Sequence, residues 1–154
     1  MKPIEQFCEK FGVTFVVPPT HVLRAINKEL FLFTPAQAAV LDARQPVIGG
    51  GIILGELVKN EFRPTALFID LFLRETKQSI TVDDKVAWLY LCGRDIIDAS
   101  GIEPTAYRDT LVLVKNKQHE ILGFGLVCDP ARKFGVVVKN LYDKGSLLRR
   151  EMTK

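Results

Sequence analysis

The pattern of apolar and polar positions changes about halfway along the chain. In the first half, segments with helical spacing alternate with short extended runs. From Ile80 onward, short runs of β-branched and aromatic residues recur at roughly 8 to 12 residues, with turn signals between them. The polar stretch Thr76-Lys77-Gln78-Ser79 separates the two patterns. Since domain boundaries fall in polar segments, this change predicts two folded domains, residues 1–78 and 79–154.

Helices and strands alternate in the predicted first domain. Apolar residues at i, i+3, i+4 and i+7 predict a helix over residues 2–12; they are Ile4, Phe7, Cys8 and Phe11. Thr34-Pro35 combines an N-cap residue with a proline at the first helical position, so a second helix is predicted from there to Ala43. The predicted strands between these helices are Phe15–Val17, Val22–Ile26 and Leu30–Phe33.

Glycine and proline determine the predictions for the rest of this domain. Val47–Gly55 is an apolar segment with three adjacent glycines, which indicates a strand where another backbone comes close or a bulge forms. Pro64 disfavours a helical conformation for Arg63, so Phe62–Leu67 is predicted as extended. A helix is predicted to follow from Phe68 to Thr76.

Short strands dominate the predicted second domain. Its extended runs are Ile80–Val82, Val86–Leu91, Thr110–Lys115, Ile121–Val127 and Gly135–Lys139. One short helix, about Arg94–Ala99, interrupts them. The chain is therefore assigned to the α+β class, with an N-terminal α/β sandwich-like domain followed by a small, mostly-β barrel. Closing a sheet of this size removes its exposed edges.

Composition is that of an ordinary globular protein, with 47% apolar and 25% charged residues. No apolar run reaches the roughly 18 residues of a membrane span, and the N-terminus lacks a secretory signal pattern, so we expect a cytoplasmic protein, or a nucleolar one in a eukaryote.

Cys8, Cys92 and Cys128 are far apart and form no C-x-x-C pair. They predict buried thiols rather than disulfides or a zinc site.

Residues suited to catalysis are few. His21 and His119 both stand beside turn residues, which favours surface histidines over a general base. The glycines at 49–51 lack the Gly-Lys-Ser/Thr ending of a P-loop, and Leu54 replaces the third glycine of a dinucleotide fingerprint. Asp95 and Asp98 are three apart on a predicted helix, where they are expected to be solvated. The sequence therefore predicts a protein without catalytic activity, cofactor or metal.

Positive charge is concentrated at the C-terminal end of the chain. Residues 132–154 contain seven basic and two acidic residues, a local net charge of +5, while the other 131 residues carry 14 basic and 16 acidic ones. The basic residues are interleaved with apolar ones, as around Phe134 and Tyr142, which a solvated tail would not require. A folded surface that faces a polyanion fits this pattern, and nucleic acid is the commonest such partner.

Three stretches of the second half resemble a PUA domain, the small RNA-binding β-barrel attached to pseudouridine synthases and archaeosine transglycosylases. They are Ala87–Ile96, taken as strand, glycine and short helix; Ile121–Leu126, a strand with paired glycines; and Lys139–Glu151. The last is the most specific, because Asp-x-Gly followed by Leu-Arg-Arg-Glu closes the barrel in many relatives of this kind.

The first half resembles the N-terminal domain of the NIP-seven family of large ribosomal subunit biogenesis factors. The resemblance lies in Leu30–Thr34 entering a helix, the glycine-containing strand, and Phe62-Arg63 leading to Ile69–Phe72. It implies an α+β domain for contacts with other assembly factors, a PUA domain for ribosomal RNA or a pre-ribosomal particle, and no catalysis. The chain is shorter than eukaryotic members, which suggests an archaeal version, and a monomer is expected.

The charge pattern and the resemblance together define the candidate RNA-binding residues. They are Lys139, Arg132, Lys133, Lys144, Tyr142, Arg149 and Arg150. Lys139 on its apolar strand and Arg132-Lys133 just before it are the strongest candidates. Lys144, Arg149 and Arg150 are weaker, because charges within Asp143–Glu151 are expected to pair with one another inside the fold.

Two other functions remain open at this point. The chain is also consistent with an RNA-modifying enzyme, or its accessory subunit, that uses the barrel for targeting, although no catalytic aspartate motif of a pseudouridine synthase is recognisable before Ser79. The third function is a protein-interaction adaptor of pre-ribosomal particles, in which the first domain matters most and the basic residues only tune solubility.

Overall fold

The computed structural model describes residues 2–43, 50–97, 108–128 and 135–151, without the side chains of residues 150 and 151. The chain divides into two compact units, called here the first and the second unit. The first unit comprises residues 1–9 and 13–73, and the second comprises residues 10–12 and 74–154. Each contains one four-stranded sheet with helices, and the predicted α+β class is confirmed.

An antiparallel sheet forms the frame of the first unit. Its strands lie in the order β1-β2-β3-β4. The elements in chain order are α1 Lys2–Glu9, β1 Val22–Ile26, β2 Glu29–Phe33, α2 Pro35–Asp42, β3 Ile52–Val58, β4 Glu61–Pro64 and α3 Ala66–Phe72. Phenylalanine rings fill much of the core, and the Phe68 ring contacts those of Phe7, Phe15, Phe62 and Phe72 at centroid distances of 4.9 to 6.2 Å.

Local signals explain most elements of the first unit. Thr34 accepts a hydrogen bond from the Gln37 backbone N–H, and the Gln37 side chain accepts one from the Thr34 backbone N–H, so a complete capping box begins α2 as predicted. Asn27 has a φ of +56° in the two-residue turn between β1 and β2. A Cβ at Gly51 would lie 2.6 Å from the Leu32 carbonyl oxygen, which confirms the predicted close approach of two backbones at this glycine. The strand itself begins only at Ile52, and residues 47–49 lie outside the described part.

Several predictions for the first unit are wrong, and α1 ends at Glu9 rather than at residue 12. Residues 15–17 form no strand; they are irregular, and the Phe15 ring packs on α3 instead. Helix α3 begins at Ala66 and ends at Phe72, rather than running from 68 to 76, because the Thr65 side chain caps it by accepting a hydrogen bond from the Phe68 N–H. Only Phe62–Pro64 of the predicted extended segment is extended, within β4.

The second unit is built on a sheet with the strand order β5-β6-β7-β8. Its elements are β5 Ser79–Thr81, α4 Asp84–Leu91, β6 Leu111–Lys115, β7 Ile121–Val127, β8 Val138–Asp143 and α5 Gly145–Glu151. β5 pairs with β6 in parallel, and the other pairs are antiparallel. Residues 10–12 also belong here: the Phe11 ring packs edge-on against Phe124, and the Thr76 hydroxyl donates to the Phe11 carbonyl oxygen.

Several sequence predictions for the second unit are corrected by the structure. Val86–Leu91 lies in the helix α4 and not in a strand, because Asp83 accepts a hydrogen bond from the Val86 N–H and caps a helix whose Ala87 and Tyr90 face the core. The helix expected over Arg94–Ala99 is absent from residues 94–97, where Ile96 instead bridges to Val138; residues 98 and 99 lie outside the described part.

The C-terminal end also differs from its prediction. The strand expected over Gly135–Lys139 begins only at Val138, and it extends to Asp143. The basic stretch that follows, which the PUA resemblance assigns to the closing of the barrel, forms the helix α5, and Gly145 and Arg149 contact the end of α4.

The three cysteines differ in their exposure. Cys8 is buried, Cys128 is partly buried and Cys92 is exposed, so the prediction of buried thiols is wrong for Cys92. Burial raises the pKa of the Cys8 thiol to about 11, and this thiol therefore stays protonated at neutral pH. Among the helices in the described part of the chain, none has the length and apolarity needed to cross a membrane.

Candidate nucleic-acid interface

Strand β8 carries two of the predicted site residues, Lys139 and Tyr142, and has two different sides. The Asn140 side chain reaches α4, where its Nδ2 donates to the Tyr90 carbonyl oxygen at 3.0 Å, and the Asn140 N–H donates to the Asp95 carboxylate at 2.8 Å. Because side chains alternate along a strand, Lys139 and Leu141 project to the side away from α4, and both are exposed. The strongest predicted RNA contact is thus accessible to solvent.

Two glycines of β7 let β8 lie close. A Cβ at Gly123 would overlap the Tyr142 carbonyl oxygen, and one at Gly125 would lie 2.5 Å from the Lys139 carbonyl oxygen. The pairing shifts register between Phe124 and Gly125, where β8 contains one extra residue. These glycines therefore fix the position of the backbone that carries Lys139 and Tyr142.

The Tyr90 hydroxyl ties α4 to both strands. It lies 2.7 Å from the Phe124 carbonyl oxygen and 3.0 Å from the Tyr142 carbonyl oxygen, and it donates to these two acceptors. The pKa of Tyr90 is raised above its ordinary value, first by burial and then by the charges of Asp143 and Asp95. The phenol therefore stays neutral at physiological pH and acts as a structural donor.

Arg149 is the anchor of α5. Its guanidinium donates to both oxygens of the buried Asp143 carboxylate, at 3.0 and 2.9 Å, and also to the Leu91 carbonyl oxygen at the end of α4. The hydrogen bond to Asp143 raises the pKa of Arg149 and outweighs its partial desolvation. Such a bidentate pair is strongly directional, so this basic residue holds the fold together while remaining partly exposed.

The other predicted residues do not form one basic face in the described part of the chain. Lys144 is partly buried where β8 meets α5, and its N–H donates to the Leu122 carbonyl oxygen. The partly buried Tyr142 ring stacks on Phe124 at a centroid distance of 5.6 Å. Arg150 lies in α5 with its side chain outside the description, and Arg132 and Lys133 lie outside the described residues.

Sequence reasoning missed a largely exposed aromatic residue in the described part of the second unit. Trp88 is 69% exposed, on the outer face of α4. The sequence analysis interprets residues 86–91 as a strand, and that interpretation does not indicate whether the Trp88 side chain faces the core or the solvent. The Asp83 N-cap before an apolar run was the signal that would have indicated a helix.

Metal binding and histidine chemistry were also considered for the side chains that the structure describes. Among them there is no group of three or more His, Cys, Asp or Glu residues placed to hold a metal ion. The His21 ring is hydrogen-bonded to the Thr20 hydroxyl at a turn. His119 has a φ of +62° in the hairpin between β6 and β7. Both histidines therefore lie in turns, where the sequence predicted them.

Residues 78–152 match the family model described as the UPF0113 PUA domain. The match covers most of the second unit, 75 of the 154 residues of the chain. The second unit is thus a PUA-type domain, a class that commonly binds RNA. The PUA resemblance of the sequence is confirmed for this part of the chain.

A solved structure extends the similarity of fold to the whole chain. It is that of a conserved PUA domain protein from Thermoplasma acidophilum, to which the chain is 14% identical with a TM-score of 0.56. The alignment covers 97% of this chain and 92% of that protein. No curated protein sequence matches the chain significantly. The comparisons support a two-part fold with a PUA domain and a general role in RNA binding.

Proposed function

We propose that the protein is a non-enzymatic RNA-binding factor of ribosome biogenesis, which acts in processing and assembly of large-subunit ribosomal RNA. The PUA-type domain at residues 78–152 is the observation that carries the RNA-binding part. The ribosomal part rests on the resemblance of the first half to the NIP-seven family. The order of elements supports it, because β2 enters α2 through Thr34 and β4 leads through Thr65 into α3, as that resemblance requires.

The polar groups of the second unit favour binding over catalysis. The Tyr90 hydroxyl, the Asn140 amide and the Asp143 carboxylate all take part in hydrogen bonds that connect α4, β8 and α5. Groups that are committed to the fold in this way are poorly placed to exchange protons with a substrate. The exposed Lys139 can contact a phosphate without any such constraint.

Substitution of Lys139, Arg132 and Lys133 by alanine is expected to weaken RNA binding by roughly an order of magnitude at low salt. The logarithm of the association constant decreases linearly with the logarithm of the salt concentration, and each phosphate contact to single-stranded RNA adds about 0.7 to the steepness of this line. If all three residues contact phosphates, the triple variant is less steep by about 2. The measurement is fluorescence anisotropy of ribosomal RNA fragments titrated with full-length protein at several salt concentrations.

The matched control removes the same charge elsewhere, with Lys2→Ala, Lys28→Ala and Lys117→Ala, all at exposed positions. We expect its salt slope to stay close to that of the wild type. Equal affinities of the wild type and the Lys139 triple variant would reject this patch as the RNA site.

A contact surface for other assembly factors is a second candidate function, carried by the first unit. Leu67 and Leu71 stand one turn apart on α3 and are 45% and 52% exposed, and Val16 is 65% exposed. Exposed apolar side chains at this spacing are typical of a protein-binding helix face. We infer that pre-ribosomal proteins contact the first unit here, as the adaptor hypothesis requires.

Changing Leu67 and Leu71 to aspartate is expected to abolish most co-sedimentation of the protein with pre-large-subunit particles after RNase treatment, since buried charges oppose an apolar interface. Sucrose-gradient sedimentation followed by immunoblotting measures this. Val40→Asp on α2, at a residue that is 48% exposed, is the matched control. Retention of the double variant on RNase-treated particles would contradict the adaptor function of this helix.

A further inference from the structure

One face of α4 is exposed and apolar at its centre. Lys85, Trp88, Leu89 and Cys92 are all exposed and share this face, because they are spaced at i, i+3, i+4 and i+7. Trp88 is 69% and Leu89 is 43% exposed. Tryptophan is highly buried on average, so an indole that is left open to this extent indicates a binding surface.

The orientation of this face is fixed by the opposite side of the helix. Ala87 and Tyr90 are buried in the core of the second unit, and the Tyr90 hydroxyl is hydrogen-bonded to the backbone of both β7 and β8. The helix cannot rotate to bury Trp88 without breaking these bonds. The indole is therefore held outward before any ligand binds, which lowers the entropic cost of binding.

The exposed charges around this face are mixed. Lys85 lies on the face and Arg94 follows the helix, and each has an acidic neighbour, Asp84 or Asp95. The Arg149 guanidinium lies beside Gly93, but it is paired with the Asp143 carboxylate. A polyanion is therefore attracted only locally, at Lys85 and Arg94, and the indole must supply most of the contact.

We propose that the outer face of α4 is a stacking platform for single-stranded RNA, with one base on the Trp88 indole and the adjoining phosphates toward Lys85 and Arg94. This inference rests on the proposed RNA-binding function and identifies a site on a different element from Lys139. Stacking on an aromatic side chain needs an unpaired base, because the faces of bases in a duplex are already covered. The platform therefore selects single strands over duplexes.

The chain contains one tryptophan, so its fluorescence reports on this site alone. We expect a single-stranded RNA 12-mer of mixed sequence to quench it, with the same saturation curve as the anisotropy of the labelled RNA, while the corresponding duplex quenches little. Trp88→Ala is expected to lower single-strand affinity by about tenfold or more, and Trp88→Phe to retain most of it. Ile97→Ala, at a residue of the same unit that is 70% exposed, is the matched control and leaves affinity unchanged.

The outcomes separate the site from the function. RNA binding by anisotropy without quenching, and with full affinity in Trp88→Ala, would overturn the platform and leave the RNA-binding function intact. Absence of binding to any RNA would overturn both. Self-association of the wild type that Trp88→Ala abolishes in sedimentation velocity, with RNA affinity unchanged, would assign the face to a second copy of the chain. Circular dichroism checks that Trp88→Ala is folded, and quenching of the wild type does not depend on that variant.

Discussion

Replacing Gly123 by alanine is expected to destabilise the second unit by about 3 kcal/mol, the upper end of the range for overpacking a closely packed site. The added Cβ would overlap the Tyr142 carbonyl oxygen and crowd the Asp143 Cα, and both are backbone atoms of a paired strand. A backbone cannot move aside as the end of a flexible side chain can. The pairing of β7 with β8 must therefore shift, and with it the strand that carries Lys139.

Urea unfolding followed by circular dichroism measures this loss, and hydrogen exchange of the β6 amides assigns it to the second unit. Gly135→Ala is the matched control. Its φ is +68° and the nearest neighbour of an added Cβ is 3.8 Å away, so only the cost of the left-handed backbone is expected, about 1 kcal/mol. A Gly123→Ala protein no less stable than the Gly135→Ala protein would contradict the packing argument.

Tyr90→Ala is expected to cost about 3–5 kcal/mol of unfolding free energy, because it leaves a cavity where a large side chain, 1% exposed, fills the core. Tyr90→Phe keeps the ring and removes only the hydroxyl. The Phe124 and Tyr142 carbonyl oxygens then lose a donor, at an expected cost of about 1–3 kcal/mol. Urea unfolding of both variants separates the contribution of the ring from that of the hydrogen bonds.

The raised pKa of Tyr90 also predicts how this contribution depends on pH. In the unfolded chain tyrosine loses its proton near pH 10, whereas the folded state retains it to higher pH. Above about pH 10 the folded state therefore binds more protons than the unfolded state, and stability falls as the pH rises. The stability advantage of wild type over Tyr90→Phe should be constant below that pH and shrink above it. An advantage that grows above pH 10 would contradict this assignment.

Short-range chemistry was the part of the fold that could be predicted. The helix α2 followed from Thr34 and Pro35, since a capping box is complete within four residues. The β1–β2 hairpin likewise followed from two apolar runs around Asn27-Lys28. These elements are specified by neighbours in sequence, so no knowledge of distant contacts was needed.

Helix α4 was predicted wrongly because its apolar residues surround the helix. Ala87 and Tyr90 face the core while Trp88 and Leu89 face solvent, so the run contains no simple period and its aromatic content favoured a strand. The tertiary contact of the Tyr90 hydroxyl with two strands that come much later in the sequence fixes which side of the helix faces the core. The Asp83 N-cap could have indicated the helix, but which of its faces is exposed, and with it the position of Trp88, depends on these tertiary contacts.

The sequence composition was enough to name candidate residues for the site, but not to predict how those residues are arranged. Charge counting identified the basic tail as the candidate, and the expectation that some of its charges pair inside the fold agrees with the contact between Arg149 and Asp143. The sequence could not show which basic residue forms the internal pair, because this depends on the burial of Asp143 beneath α5. Lys139, by contrast, is exposed because strand alternation directs Asn140 toward α4.

The inclusion of residues 10–12 in the second unit has a consequence for the order of events during synthesis. Phe11 leaves the ribosome well before Phe124, against which it packs, has been made. The nascent chain must keep this ring accessible in the meantime, and the core of the second unit becomes complete only after Phe124 has been made. For the same reason, a fragment that starts at residue 78 lacks a native part of its own core.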